Sequence, residues 1–176
     1  IQLAVAHDRN DEMEKALENL LLLTDHYPEE SPHLPMALAE QGRLSYLTGD
    51  LKRARGAMER FLGKDKENKD PFRQTAPAQR SRVHYYFGWV EATENKHEQA
   101  AERFAKVPVN DSLGPDAAFQ RGIALIKGEN FDEAAKHFPH MIRQFREHEK
   151  LPLVIYYAGL SATKKEDWDT ASNYFK

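Results

Sequence analysis

The chain has 176 residues, 40% of them apolar and 30% charged, a mixture that folds and is too apolar for a disordered segment. Its formal net charge of −3 gives no general attraction to phosphate backbones, which disfavours nucleic acid as a partner. The absence of cysteine excludes disulfides and thiolate chemistry, and the longest apolar run, LENLLLL at 17–23, is too short to span a bilayer.

In chain order, the first periodic segment carries Ala4, Met13, Ala16 and Leu20 and ends at Pro28. The second opens on Pro35, carries Gly42, turns at TGD (48–50) and resumes with Leu51, Ala54 and Met58. A charged stretch, KDKENKD at 64–70, and two prolines, Pro71 and Pro77, follow. The signs of that stretch alternate, as in a solvated helix end or loop. Next come Gly88, the turn TENK, and His97, Ala100 and Phe104; then Pro115, Gly122, KGEN, and Phe131, Ala134 and Phe138; then Pro152, Gly159, KKED, and Trp168, Ala171 and Phe175.

Four of the nine glycines thus have an alanine twelve residues on. Composition alone would supply about one, so the chain contains an internal repeat. Each alanine is followed four residues later by a bulky apolar residue, and successive alanines lie 38, 46, 34 and 37 residues apart. Helices approach closely only where small residues cross, so the glycines of each first helix and the alanines of each second helix are the expected contact points. The turns carry a helix-ending glycine in two cases, Gly49 and Gly128, and an Asp or Asn placed to cap the next helix. The prolines suit a first helical turn.

Paired helices at a period near 34, with a small residue late in the first, alanine early in the second and an aromatic four further on, resemble tetratricopeptide repeats. The copies fall at 1–30, 35–68, 81–114, 115–148 and 152–176, the outer two truncated, with an insertion at about 63–79. The resemblance implies an all-α fold: an α-solenoid of ten helices, stacked as antiparallel pairs in a right-handed superhelix and touching only their neighbours. The 46-residue interval between Ala54 and Ala100 means that the insertion leaves the stack or lengthens its flanking helices. Its charges and prolines favour an exposed excursion. Pro139, in the middle of a second helix, predicts a kink or early stop near 135–139, because proline in a helix interior costs about 3 kcal/mol. The chain begins at IQLAVAH without methionine and ends at DTASNYFK inside a helical pattern, which reads as a piece of a longer protein. The long periods and the connector HYPEESP resemble bacterial envelope members of the family, such as outer-membrane assembly lipoproteins, and imply a periplasmic or outer-membrane-associated setting.

No phosphate-binding glycine loop, His-Glu-x-x-His pattern or nucleophile elbow is present, so no enzyme activity and no cofactor are expected. His137 and His140 are the one histidine pair close enough to share a helical face, and a solvated pair is the reading preferred to a metal site. The resemblance places Tyr85, Trp89, Phe119, Ile123, Tyr156 and Leu160 on the groove-facing side of the first helices, with Arg43 and Tyr46 added from the second copy. Family members that grip a terminal carboxylate carry asparagine where Trp89, Ile123 and Leu160 stand, so such a clamp is not expected. The function implied is a scaffold or adaptor binding a protein or peptide segment in the concave groove. The alternative is a carbohydrate-associated module similar to the repeat regions of exopolysaccharide-export proteins.

Overall fold

The computed structural model describes residues 12–26, 28–147 and 149–176. Among them are nine α-helices and no strand. The expected first helix, with Ala4, lies outside the described residues. The chain divides into two compact units between Val90 and Glu91.

The first unit contains α1 (Met13–His26), α2 (Leu34–Leu47), α3 (Leu51–Glu67), a short 3-10 turn (Phe72–Gln74) and most of α4 (Pro77–Thr93). Helix α1 packs on α2 through Ala16, Leu17, Leu20, Ala37 and Leu44. Helices α2 and α3 pair, and Leu38, Met58, Phe61, Phe72, Val83 and Phe87 fill the main core.

The second unit holds the end of α4, then α5 (His97–Ala105), α6 (Gly114–Lys127), α7 (Phe131–Gln144), α8 (Leu151–Lys164) and α9 (Trp168–Tyr174). Each of α5 to α9 packs on its neighbour in sequence, and α6 also touches α8. Phe104, Phe138, Met141 and Val154 are buried here, with small residues between them.

The repeated alanines stand where the helices close: Ala16, Ala54, Ala100 and Ala134 are fully buried and Ala171 nearly so. The tightest neighbour of each of three glycines is a bulky side chain, and the expected contact with the alanine is seen at Gly42, where a Cβ would lie 3.6 Å from the Ala54 carbonyl oxygen. A Cβ on Gly42 would lie 2.8 Å from Met58 Cγ, one on Gly122 2.5 Å from Phe138 Cε1, and one on Gly159 2.5 Å from Phe175 Cζ. Each glycine therefore makes room for the bulky residue sixteen positions later, and its proximity to the alanine helix follows from that.

The capping expectation holds at three turns. Asp50, Asn130 and Asp167 accept hydrogen bonds from the backbone N–H of Arg53, Glu133 and Thr170. The prolines sit in first turns, Pro77 as the first residue of α4 and Pro35, Pro115 and Pro152 as the second residue of their helices. One expectation about glycine is corrected: Gly49 is left-handed at φ 84°, but Gly128 is not, and Glu129 takes that conformation at φ 58°. Gly128 stands close to the start of α5 instead, where a Cβ would lie 3.3 Å from the His97 Cβ. Asn95 and Glu166 occupy the equivalent positions in their turns.

A left-handed L-residue costs about 1–2 kcal/mol, and glycine escapes that cost while adding about 0.4–1 kcal/mol of unfolded-chain entropy. Glu129→Gly and Glu166→Gly are each expected to raise the urea midpoint slightly, by the equivalent of up to about 1 kcal/mol. A lowered midpoint in both would show that the glutamate side chains hold the turns.

Of the two outcomes expected at Pro139, a kink or an early stop, the stop is corrected: helix α7 runs through to Gln144, with Phe138 and Met141 on either side of the proline anchored in the core. The insertion lengthens its flanking helices, one of the two courses expected, and is mostly exposed: α3 extends to Glu67 and α4 begins at Pro77, but between them Phe72 is 2% exposed and packs edge-on against Phe61 at 5.6 Å. Arg80 closes this segment by donating to the carbonyls of Phe72 and Thr75 and to Asp65. Its charged beginning, at Lys66 to Asp70, is exposed as expected.

Candidate functional site

A helix turns about 100° per residue, which sorts the first helices into faces. On α4, Val83, Phe87 and Val90 enter the core. Tyr85 and Trp89 lie roughly 200° and 240° around from Val83. On α8, Val154, Ala158 and Ala162 are buried, and Tyr156 and Leu160 stand at the same offsets from Val154. The predicted residues of α6, Phe119 and Ile123, hold that register relative to the buried Ala117. Six of the eight sequence-predicted residues thus share one helical register, presented separately in each unit.

In the first unit this face is aromatic. Tyr85 meets Trp89 edge-on at 6.4 Å and Tyr86 at 5.3 Å, and Tyr86 meets Tyr46 at 5.9 Å. Tyr46, Tyr85 and Trp89 are each partly exposed. Arg43 is largely committed within the fold: its Nε donates to Glu40 at 2.8 Å, and Arg82 pairs with the other oxygen of the same carboxylate. Glu40 is only 7% exposed, so two guanidinium groups are what make its burial tolerable. The spacing of Glu40 and Arg43, three apart on a helix, was a readable signal of this pair. Arg82, distant in sequence, was not.

In the second unit Ile123 and Leu160 are partly exposed and Tyr156 is 51% exposed. Tyr156 touches Tyr157 at 5.4 Å and Phe175 at 6.1 Å. Phe119 is a correction to the predicted surface. It is buried beside Tyr157 at 6.0 Å, with the Lys150 ammonium 5.4 Å from its ring centre. Tyr157, which sequence reasoning passed over, is the hub of this cluster and also stacks on Phe138 at 6.1 Å.

His137 and His140 do not form a solvated pair. The His137 Nε2–H donates to the Ala118 carbonyl at 2.7 Å, and burial holds its pKa below the ordinary imidazole value, assisted by the charge of Arg121. His140 Nδ1 accepts from Arg143 at 2.8 Å. Among the described residues no group of three or more His, Asp or Glu is placed to hold a metal, and no helix is long and apolar enough to cross a membrane.

Helix pairs in chain order, closed by alanine and by glycine set against a bulky residue, define an all-α fold of the tetratricopeptide-like repeat type. Solved structures share it. MamA AMB-1 superposes with a TM-score of 0.75 at 18% identity, covering 99% of this chain and 85% of that one. MamA RS-1 gives 0.73 at 18% identity, with 99% and 87% covered. The nearly identical TPR-like repeats from Podosopora anserina give 0.72 at 12% identity, with 99% and 89% covered. No protein-family model and no curated protein matches the sequence.

Proposed function

We propose that the protein is an interaction module, a scaffold or adaptor, that binds a segment of a protein partner through the aromatic and apolar face of its first helices. Tyr46, Tyr85 and Trp89 supply that face in the first unit, with Arg43 at its edge; Ile123, Tyr156 and Leu160 supply it in the second. The observation that carries the reading is the register. Tyr85 and Tyr156 stand about 200° from the buried stripe and Trp89 one turn further on, where a helix with no partner would carry charged residues. Partly exposed tyrosine and tryptophan on rigid helices are the residue types that dominate binding energy at protein interfaces.

The test is affinity capture with the protein and its Trp89→Ala variant, followed by measurement of affinity for whatever is retained. Trp89→Ala is expected to weaken the partner at least about tenfold, which corresponds to about 1.4 kcal/mol. Because Trp89 is only partly buried, its melting temperature should fall by no more than a few degrees. A collapsed melt would make Trp89 a core residue, and unchanged affinity in a folded variant would move the site to another face.

A further inference from the structure

A cleft in the second unit lies apart from the aromatic face. Helices α5 and α7 form its walls and α6 its floor. Two cavities, of about 430 and 370 Å³, meet there at Ala105, Arg121 and Glu133. Each is within the roughly 300–1,000 Å³ of ligand sites. Their linings follow α7 from Asn130 to Gln144. At 1.5 Å per residue that is about 20 Å, the length of about six residues of extended chain.

Charge is ordered along this length. The larger cavity is lined by two cations, Arg121 and Lys136, with His137 and His140 beside them, against a single carboxylate, Glu133, which is already engaged by Lys136 at 2.8 Å. The smaller one adds Glu98 and Glu102. Arg121 sits where the two meet, partly buried, and makes no hydrogen bond or ion pair with any described residue. A planar guanidinium that donates to no described residue, in a cleft that also presents the apolar surface of Ala118 and the exposed Val109, is a receptor for a carboxylate carried on a chain with apolar neighbours.

We propose that this cleft binds an extended peptide segment of a partner, with an Asp or Glu side chain on Arg121 and a Lys or Arg toward Glu98 and Glu102. A phosphate-rich ligand would meet three glutamates along the same path, whereas a peptide of mixed charge complements both ends. The site is independent of the aromatic face, so either can fail without the other.

A displayed library of random hexapeptides selected on the whole protein tests this, with fluorescence polarisation of the enriched sequences against variants. Enriched peptides should carry an acidic residue, and Arg121→Gln should weaken them at least about tenfold. Glu133→Gln should tighten them several-fold by removing the carboxylate that competes for the cations, an effect that a merely structural role would not produce. Trp89→Ala should leave them unchanged. The proposal is overturned if no sequence is enriched, if acidic residues are absent, if Arg121→Gln binds as the parent does, or if Trp89→Ala abolishes binding. Should Arg121→Gln fail to fold, the direction of the Glu133→Gln effect decides.

Discussion

Phe72→Ala is expected to destabilise the protein by about 3–5 kcal/mol, the usual range for truncating a buried phenylalanine. That is a large effect for a residue in a segment whose composition reads as a solvent-exposed insertion. Phe72 is 2% exposed, packs against Phe61, and belongs to the same core as Met58, Val83 and Phe87. Arg73→Ala, one residue on, should be nearly neutral, because its side chain is 61% exposed and its ion pair with Asp70 lies at the surface. Urea denaturation of the two variants gives the comparison. If Phe72→Ala cost under about 1 kcal/mol, the segment would be an appendage and not a core element.

The second large effect concerns the glycines. In Gly122→Ala the new methyl would lie 2.5 Å from Phe138, whose ring is fully buried and stacked on Tyr157, leaving it nowhere to go. Overpacking of this kind costs about 1–3 kcal/mol, against about 1 kcal/mol gained in helix propensity. We expect a net loss approaching 2 kcal/mol, partly restored by adding Phe138→Leu. Gly159→Ala creates the same short contact with Phe175, but that ring is 53% exposed and can swing aside. There the propensity gain should prevail, leaving the variant neutral or slightly more stable. Equal melting temperatures for the two alanine variants would mean that the glycines do not set the fit.

The repeat was legible because the tightest contacts are local in sequence and recur at fixed spacing. The alanines, the capping Asp50, Asn130 and Asp167, and the first-turn prolines could all be placed from the chain alone. Glu129 was not legible as the left-handed residue, because glycine beside it offered the easier conformation and the contact of Gly128 with His97 is a tertiary fact. The burial of Phe72 depends on Arg80 reaching back to two carbonyls, a contact with no periodic signature. At the candidate site the register of the face was readable, whereas the state of each member was not. Phe119 shares the register of Ile123, Tyr156 and Leu160, yet Tyr157 and Lys150 close over it. The cleft at Arg121 combines residues from three helices whose individual positions carry no pattern.

The pairing of each glycine with a bulky residue sixteen positions later also determines where this chain can be cut and rejoined. A crossover in an inner turn, such as KGEN at 127–130, would join a first helix to a stranger's second helix. Gly122 could then face a side chain it was not shaped for, leaving a void opposite a small residue or a collision opposite a larger one. A crossover in a connector between pairs, such as the stretch from Val107 to Leu113, keeps glycine and partner on the same side of the join. Chimaeras with related arrays should therefore tolerate exchange of whole pairs far better than exchange of single helices, and the unit of inheritance in this fold begins at a first helix and ends with the aromatic that its glycine admits.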